Sequence, residues 1–313
     1  MTIYYLGVDI GGTTIKAGLV DETSCVSSPS RIATATGNWP ELLASLVTLI
    51  RDYQATQPIQ AVGIGVAGLM NSRTGMVETS PNISSLANVR LGERVADEVH
   101  LPVVTDNDAN AAAYAEFSAG SGKGVRNMAC LTLGTGLGSG VILDGKLVRG
   151  TSGYAVEFGH SVIDPAGRSC SCGAVGCLET MVSARGIQQT ARQIMDQHPE
   201  SRLHATGVMP NPAQVFEAAA AGDRAAIETF EQTGYWLGLG CANLINIFNP
   251  ELIAIGGGIA GAGPFLMDRA KETAARHAIG ASFRDCRIVQ SMFGSEAGII
   301  GAAMLARDSV AVT

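Results

Sequence analysis

At 313 residues, 46% hydrophobic and 16% charged, the chain is long enough for two domains with their own cores. A formal net charge of −7 without a Lys/Arg cluster argues against a nucleic-acid partner. Thirty-nine glycines against 11 prolines exclude collagen-like and Pro/Gly-disordered chains, so glycine must serve tight turns and close backbone approaches.

Residues 3–20 read as two strands, IYYLGVDI and TIKAGLV, joined by Gly11-Gly12-Thr13. The opening MTIYYLGVDIGG has no basic n-region and no long apolar core, so no secretory signal and a cytoplasmic protein without a membrane partner are expected. Leu42, Leu43, Leu46, Leu49, Ile50 and Tyr53 recur at helical spacing and predict a helix over 40–54, started by Asn38 and Pro40. AVGIGVAG reads as a buried strand, followed by a turn-rich loop through Asn82 and a short helix in LGERVADEV. Strand PVVTD leads directly into helix DANAAAYAEFSA. This alternation predicts an α/β domain with a mostly parallel sheet.

A second strand-turn-strand, MACLTLGTGLGSGVIL, begins near residue 128 and echoes the first in form, which suggests internal duplication. Helices are expected to dominate 180–248, including the apolar stretch 235–248, too short and too interrupted by Asn243 and Asn246 to span a membrane. Strand ELIAIGGG, a helix over about 262–277 and a closing helix near 296–307 complete the chain. The expected division is an N-terminal lobe over 1–115, joined by the C-terminal helix 296–313. A C-terminal lobe over 116–295 carries a cysteine loop and a helical insert.

Glycines follow apolar strands at three places: DIGGTT (9–14), LGTGLGSG (133–140) and IGGGI (255–259). Each can be a simple hairpin turn, or a loop whose bare N–H groups face phosphate oxygens. Thr13, Thr14 and Thr135 add hydroxyls, and Asp9 at a strand end can hold Mg²⁺ through water. None matches the P-loop or the Rossmann fingerprint. Three such turns spread over both halves favour a nucleotide site.

Thr105-Asp106-Asn107-Asp108-Ala109-Asn110 opens the Ala-rich helix. One of these polar residues suffices for a cap. A second carboxylate either is spare or accepts a proton from a substrate hydroxyl attacking a phosphoryl group.

His160, nine residues, Cys170-x-Cys172, four residues, Cys177 is the most specific local pattern. Three thiolates and one imidazole complete a closed tetrahedral Zn²⁺ shell, a structural rather than hydrolytic site. The remaining cysteines, 25, 130, 241 and 286, lie far apart, as suits a reducing compartment.

Together these residues resemble the ROK family of bacterial sugar kinases. DIGGT, DNDANAAAYAE, LGTGLGSGV, EFGH, CSCGAVGCLE, NPELIAIGGG and GIIGAAML occur in family order along essentially the whole chain. The resemblance implies the actin-like ATPase (ribonuclease H-like) α/β fold, two lobes around a central cleft. It implies Asp108 as catalytic base toward a sugar 6-hydroxyl, with Asn82, Asn107, Glu157, His160 and Glu179 as sugar ligands. His160 would give one ring nitrogen to Zn²⁺ and the other to the sugar.

Gly11, Gly12 and Thr13 with Gly134, Thr135 and Gly136 resemble the two phosphate loops, and Gly256, Gly257 and Gly258 the adenosine-side loop. Mg²⁺ would accompany ATP near Asp9, and a homodimer is implied.

Ala155-Val156 stands where the family commonly has Ala-Gly, Ala67 where it often has Pro, and Asn71 where Asp is common. The implied function is ATP-dependent phosphorylation of glucose. N-acetylglucosamine or N-acetylmannosamine is the alternative substrate. A sugar-responsive regulator of the same family would need a DNA-binding region ahead of DIGGT, for which Asp9 leaves no room.

Overall fold

Strands β1 (Tyr4–Ile10) and β2 (Thr14–Asp21) form a hairpin with Ile10 opposite Ile15, joined by the Gly11–Thr13 turn. The computed structural model describes residues 2–206 and 209–311. After the hairpin come β3 (Val26–Ala33), α1 (Trp39–Thr56), β4 (Ile59–Val66) and the small hairpin β5 (Leu69–Asn71) and β6 (Met76–Thr79). Then follow α2 (Leu91–Val99), β7 (Val103–Asn107) and α3 (Asp108–Ser118).

Asn38 caps α1 by accepting from the Glu41 amide, with Pro40 in the first turn. The predicted start of that helix is therefore the observed one. Strand β3 does not stand out in the sequence because VSSPSRIA lacks apolar alternation. It lies at a sheet edge, where exposed Ser28 and Pro29 are tolerated.

The next elements are β8 (Met128–Leu133), β9 (Leu137–Leu143), β10 (Lys146–Leu147), α4 (Glu179–Val182), α5 (Ala184–Met195), α6 (Pro212–Ala220) and α7 (Arg224–Phe248). The chain ends through β11 (Leu252–Gly256), α8 (Pro264–His277), α9 (Gly280–Asp285), β12 (Arg287–Gln290) and α10 (Ala297–Val310). None of the described helices is long and apolar enough to cross a membrane.

Two five-stranded sheets carry the same plan. One runs β3-β2-β1-β4-β7 and the other β10-β9-β8-β11-β12. In each, an antiparallel meander is extended by two parallel strands. The echo between DIGGT and LGTG thus marks equivalent hairpins of a repeated topology.

By contacts the chain divides into two compact units. One comprises 1–126, 140–156 and 292–313, the other 127–139 and 157–291. In the first, α10 lies on the sheet so closely that Gly7 and Gly63, opposite each other on β1 and β4, face the carbonyls of Ile299 and Ala302. A Cβ at either would overlap that backbone. Gly301 meets the Ala111 carbonyl of α3 in the same way. In the second unit Gly234 and Gly238 of α7 admit the backbone of α8. The first core is aliphatic, with Leu6, Ile10, Ile15, Leu42, Leu46, Ile50 and Ile64 all essentially without exposure.

Candidate active site

In the first unit the parallel strands end together. Ile10 pairs with Val66, and Val66 with Asn107, so Gly11–Thr13, Ala67–Gly68 and Asn107–Asp108 share one carboxyl edge. Such an edge is where α/β sheets receive ligands. The Gly11 amide donates to the Thr14 carbonyl at 3.1 Å, and the Thr34 hydroxyl to the Gly11 carbonyl at 2.8 Å, which pins the turn. Among the described residues no protein acceptor takes the Gly12 and Thr13 amides. Exposed Asn82 lies directly on this turn, and a Cβ at Gly12 would come 2.6 Å from the Asn82 Cβ. Asp9 pairs with Lys16, Nζ to Oδ2 3.3 Å, and the start of α10 at Gly298 closes over it. The Lys16 ammonium therefore occupies one face of the carboxylate expected to sit near Mg²⁺.

Asn107 is the N-cap of α3. Its Oδ1 accepts from the amides of Ala109 (2.9 Å) and Asn110 (3.1 Å), and its Nδ2 donates to the Gly68 carbonyl at 3.1 Å. The cap thus uses the oxygen and one amide hydrogen, leaving Nδ2 a second hydrogen for a ligand. Asp108 is the first helical residue, half-buried, with Oδ1 accepting from the Ala109 amide at 2.9 Å. Buried Asp106 accepts from the Asn107 amide and from Asn110 Nδ2, and is gripped by Arg149. In the sequence Asp106 is one polar residue among several at the helix start, and nothing in the local pattern points to Arg149, 43 positions away.

In the second unit two motifs converge on Leu137, the first residue of β9. Glu179 Oε2 accepts the Leu137 amide at 2.9 Å and stands against Gly136, where a Cβ would come 2.5 Å from it. Gly159 of EFGH lies on the Leu137 carbonyl and tolerates no side chain. Gly257, with φ +82°, packs on the Leu133 backbone just before Gly134–Gly136. The LGTG and GGG turns are neighbours because β8 and β11 run parallel, with Gly256 beside Thr132. The Gly134 amide closes on the Gly136 carbonyl (3.0 Å), and the Gly134 carbonyl accepts from Ala184 (2.9 Å). Gly258 has open space around it.

Glu157 precedes Phe158, whose amide donates to buried Ser139 at 3.1 Å. The Glu157 carboxyl is raised above the usual carboxylate range by the protein crowded around it, opposed by nearby His160 and reinforced by Glu179. Its outer surface nonetheless stays exposed, so a hydroxyl-bearing ligand has access to it.

His160, Cys170, Cys172 and Cys177 bring one ligand atom each within 4.8 Å of one another. Cys170 Sγ lies 3.6 Å from His160 Nδ1, and Cys172 Sγ 3.6 Å from Cys177 Sγ. A tetrahedral ion with Zn–S near 2.3 Å and Zn–N near 2.0–2.1 Å has edges of about 3.8 Å (S–S) and about 3.6 Å (S–N). The observed spacings fit a divalent ion of that size. Nδ1 faces the thiols, which leaves Nε2 for a second partner. Burial and the neighbouring thiols push Cys177 up to about 12, whereas hydrogen bonds, first from the Ala174 backbone, hold the Cys172 thiol below its ordinary value.

The loop is clamped from behind by Arg168. It donates to the Thr180 and Gly186 carbonyls, to Thr190 Oγ1 and to Gln193 Oε1, all within 3.0 Å. Arg168 stands outside every motif named above, whereas Ser139 lies inside LGTGLGSG and Lys16 just past DIGGTT.

A family model described as "ROK family" matches residues 5–309. A glucokinase of Streptomyces coelicolor is 38% identical over 311 residues, covering 97% of each chain. The structure is similar to a ROK family glucokinase from Streptomyces griseus in complex with glucose and AMPPNP. That likeness has a TM-score of 0.86 and 36% identity, over 97% of this chain and 99% of that one. It is also similar to a ROK family transcriptional regulator, a homologue of the E. coli MLC protein. There the TM-score is 0.88 and the identity 31%, covering 96% of this chain and 77% of the regulator. The repeated sheet plan is accordingly that of the actin-like ATPases. With motifs in family order, the paired sheets and matches over nearly its whole length, the chain belongs to the ROK family.

Proposed function

We propose that this chain is an ATP-dependent sugar kinase that transfers the γ-phosphoryl group of ATP to the 6-hydroxyl of glucose. Glucokinases matching nearly end to end, one of them solved with glucose and AMPPNP, support the activity. The observation that carries the chemistry is the shared carboxyl edge of the first sheet, where Asp108 at the start of α3 stands with the Gly11–Thr13 turn.

Asp108 accepts the hydroxyl proton as the oxygen attacks phosphorus, general base catalysis of roughly 10²–10⁴-fold. Asn107 offers its second Nδ2 hydrogen to a sugar hydroxyl, with Asn82 beside the turn. In the second unit, Glu157 and Glu179 accept from sugar hydroxyls and His160 contributes Nε2. The amides and threonines of residues 11–14, 134–136 and 256–258 take the nucleotide. Asp9 would be the protein carboxylate beside the Mg²⁺ that comes with ATP, an ion that would neutralise phosphate charge.

His160, Cys170, Cys172 and Cys177 hold a structural zinc. All four positions belong to the protein, so the ion serves to orient His160 rather than to activate water. The working form is a homodimer, to be read by sedimentation.

The test is a panel of hexoses and N-acetylhexosamines with ATP and Mg²⁺, run on the parent and on Asp108→Asn. Glucose is expected to give the highest kcat/KM. Asp108→Asn is expected to lose turnover by roughly 10²-fold or more while still binding glucose. An acetamido sugar at the top of the panel would replace the substrate and leave the kinase reading. Near-normal turnover by Asp108→Asn would remove the base.

A further inference from the structure

Asp106 is buried in the first unit with both oxygens engaged. Oδ1 accepts from the Asn107 amide (2.8 Å) and Asn110 Nδ2 (2.9 Å). Oδ2 accepts from Arg149 Nε (3.1 Å) and Nη2 (2.6 Å), the two-pronged grip of a guanidinium. A buried carboxylate is tolerable only when its charge is compensated and its lone pairs are filled. Arg149 supplies the one cation in that set. What Asp106 holds, in turn, is the backbone of Asn107 and the side chain of Asn110, the residues on either side of Asp108 in the first turn of α3.

Arg149 lies outside every recognised motif, just after β10. Its own carbonyl accepts the Ala155 amide at 3.3 Å, closing the 149–155 loop, and the Val148 amide before it is bound to the Val141 carbonyl at 2.8 Å. The guanidinium is thus anchored from its own backbone and aimed at Asp106. Residues 108 and 149 need not touch for one to set the other.

We propose that Arg149 is a positioning residue for the transfer step, acting through Asp106 to fix the direction of Asn107 and Asp108. The role rests on the reading of Asp108 as the base. Sub-ångström placement of a base governs kcat, whereas nucleotide binding depends on other backbone.

The experiment uses Arg149→Met, Arg149→Lys, Asp106→Asn and the double variant Asp106→Asn/Arg149→Met, with Asp108→Asn alongside. Arg149→Met is expected to lose roughly 10- to 100-fold in kcat, with KM for ATP within about two-fold of the parent. Arg149→Lys restores a cation and is expected to recover most of the kcat loss, short of full because the fork is gone. The double variant, which buries no unpaired charge and so keeps the fold testable, is expected to turn over no slower than Asp106→Asn alone. A folded Arg149→Met with parental kcat overturns the proposal. So do losses that multiply in the double variant, because Arg149 would then act independently of Asp106. Turnover retained by Asp108→Asn instead removes the base reading, which the Arg149 variants alone would not reveal.

Discussion

Glu179 holds the backbone of Leu137: its Oε2 accepts the Leu137 amide at 2.9 Å and stands against Gly136. The residues are 42 positions apart, one opening α4 beside the cysteine loop and the other starting β9. One carboxylate therefore touches a proposed phosphate turn while its other oxygen remains for a sugar hydroxyl. On the proposed assignment, sugar and nucleotide binding would share a side chain.

Glu179→Gln tests that sharing. The amide oxygen can still accept from Leu137, so the turn is expected to survive and KM for ATP to change little. Glucose KM is expected to rise by roughly ten-fold, the loss of about one charge-assisted hydrogen bond. Glu179→Ala removes both and should raise the KM for ATP as well. Steady-state kinetics in each substrate decides, and equal effects of Gln and Ala on ATP would dissociate Glu179 from the turn.

Removing the metal should act on the sugar side. Cys172→Ala breaks one of four ligand positions, so bound zinc by elemental analysis should fall well below one per chain. Glucose KM should rise because His160 loses what holds Nδ1, by roughly 10- to 100-fold. Re-adding zinc should rescue chelator-treated parent protein but not the variant. Full activity in metal-free protein would contradict the assignment.

Gly63→Ala tests the seat of α10. The new methyl meets the Ala302 carbonyl, a backbone atom that cannot rotate away. A loss of about 1–3 kcal/mol or more is expected in chemical denaturation. Gly75→Ala, in open space though at φ +68°, is the comparison for the backbone cost alone and should lose about 1 kcal/mol.

His198 gives stability a pH dependence. Its imidazole sits between Glu228 (3.0 Å) and Glu200 (3.2 Å), and these partners, Glu228 first, raise its pKa. A raised pKa means the contribution is full below the ordinary imidazole value of about 6.5 and is lost as pH climbs through the folded value. Glu228 is lowered chiefly by His198, so its share is present above the ordinary carboxylate value and fades as pH falls. The pair contributes most between those limits. His198→Gln is expected to flatten the fall of Tm with rising pH above about 6.5. An unchanged Tm–pH slope would show the ion pairs contribute nothing.

Much of this protein is legible in its sequence, for a physical reason. Strand ends, glycine turns and the His160–Cys177 cluster are local patterns, written in residues a few positions apart. Asn38 and Pro40 start α1, apolar runs form β1, β4, β8 and β11, and DNDAN opens α3. What escaped was weak in pattern or distant in sequence. Strand β3 is polar because it is an edge, and β12 is four residues long.

The tertiary structure alone decided four matters. It turned Nδ1 of His160 toward the thiols, spent Asn107 Oδ1 on the helix cap, and brought Arg149 to Asp106 and Glu179 to Leu137. Each depends on the direction of a side chain across a packed fold. A linear pattern can name the donor but carries no information on which atom it presents.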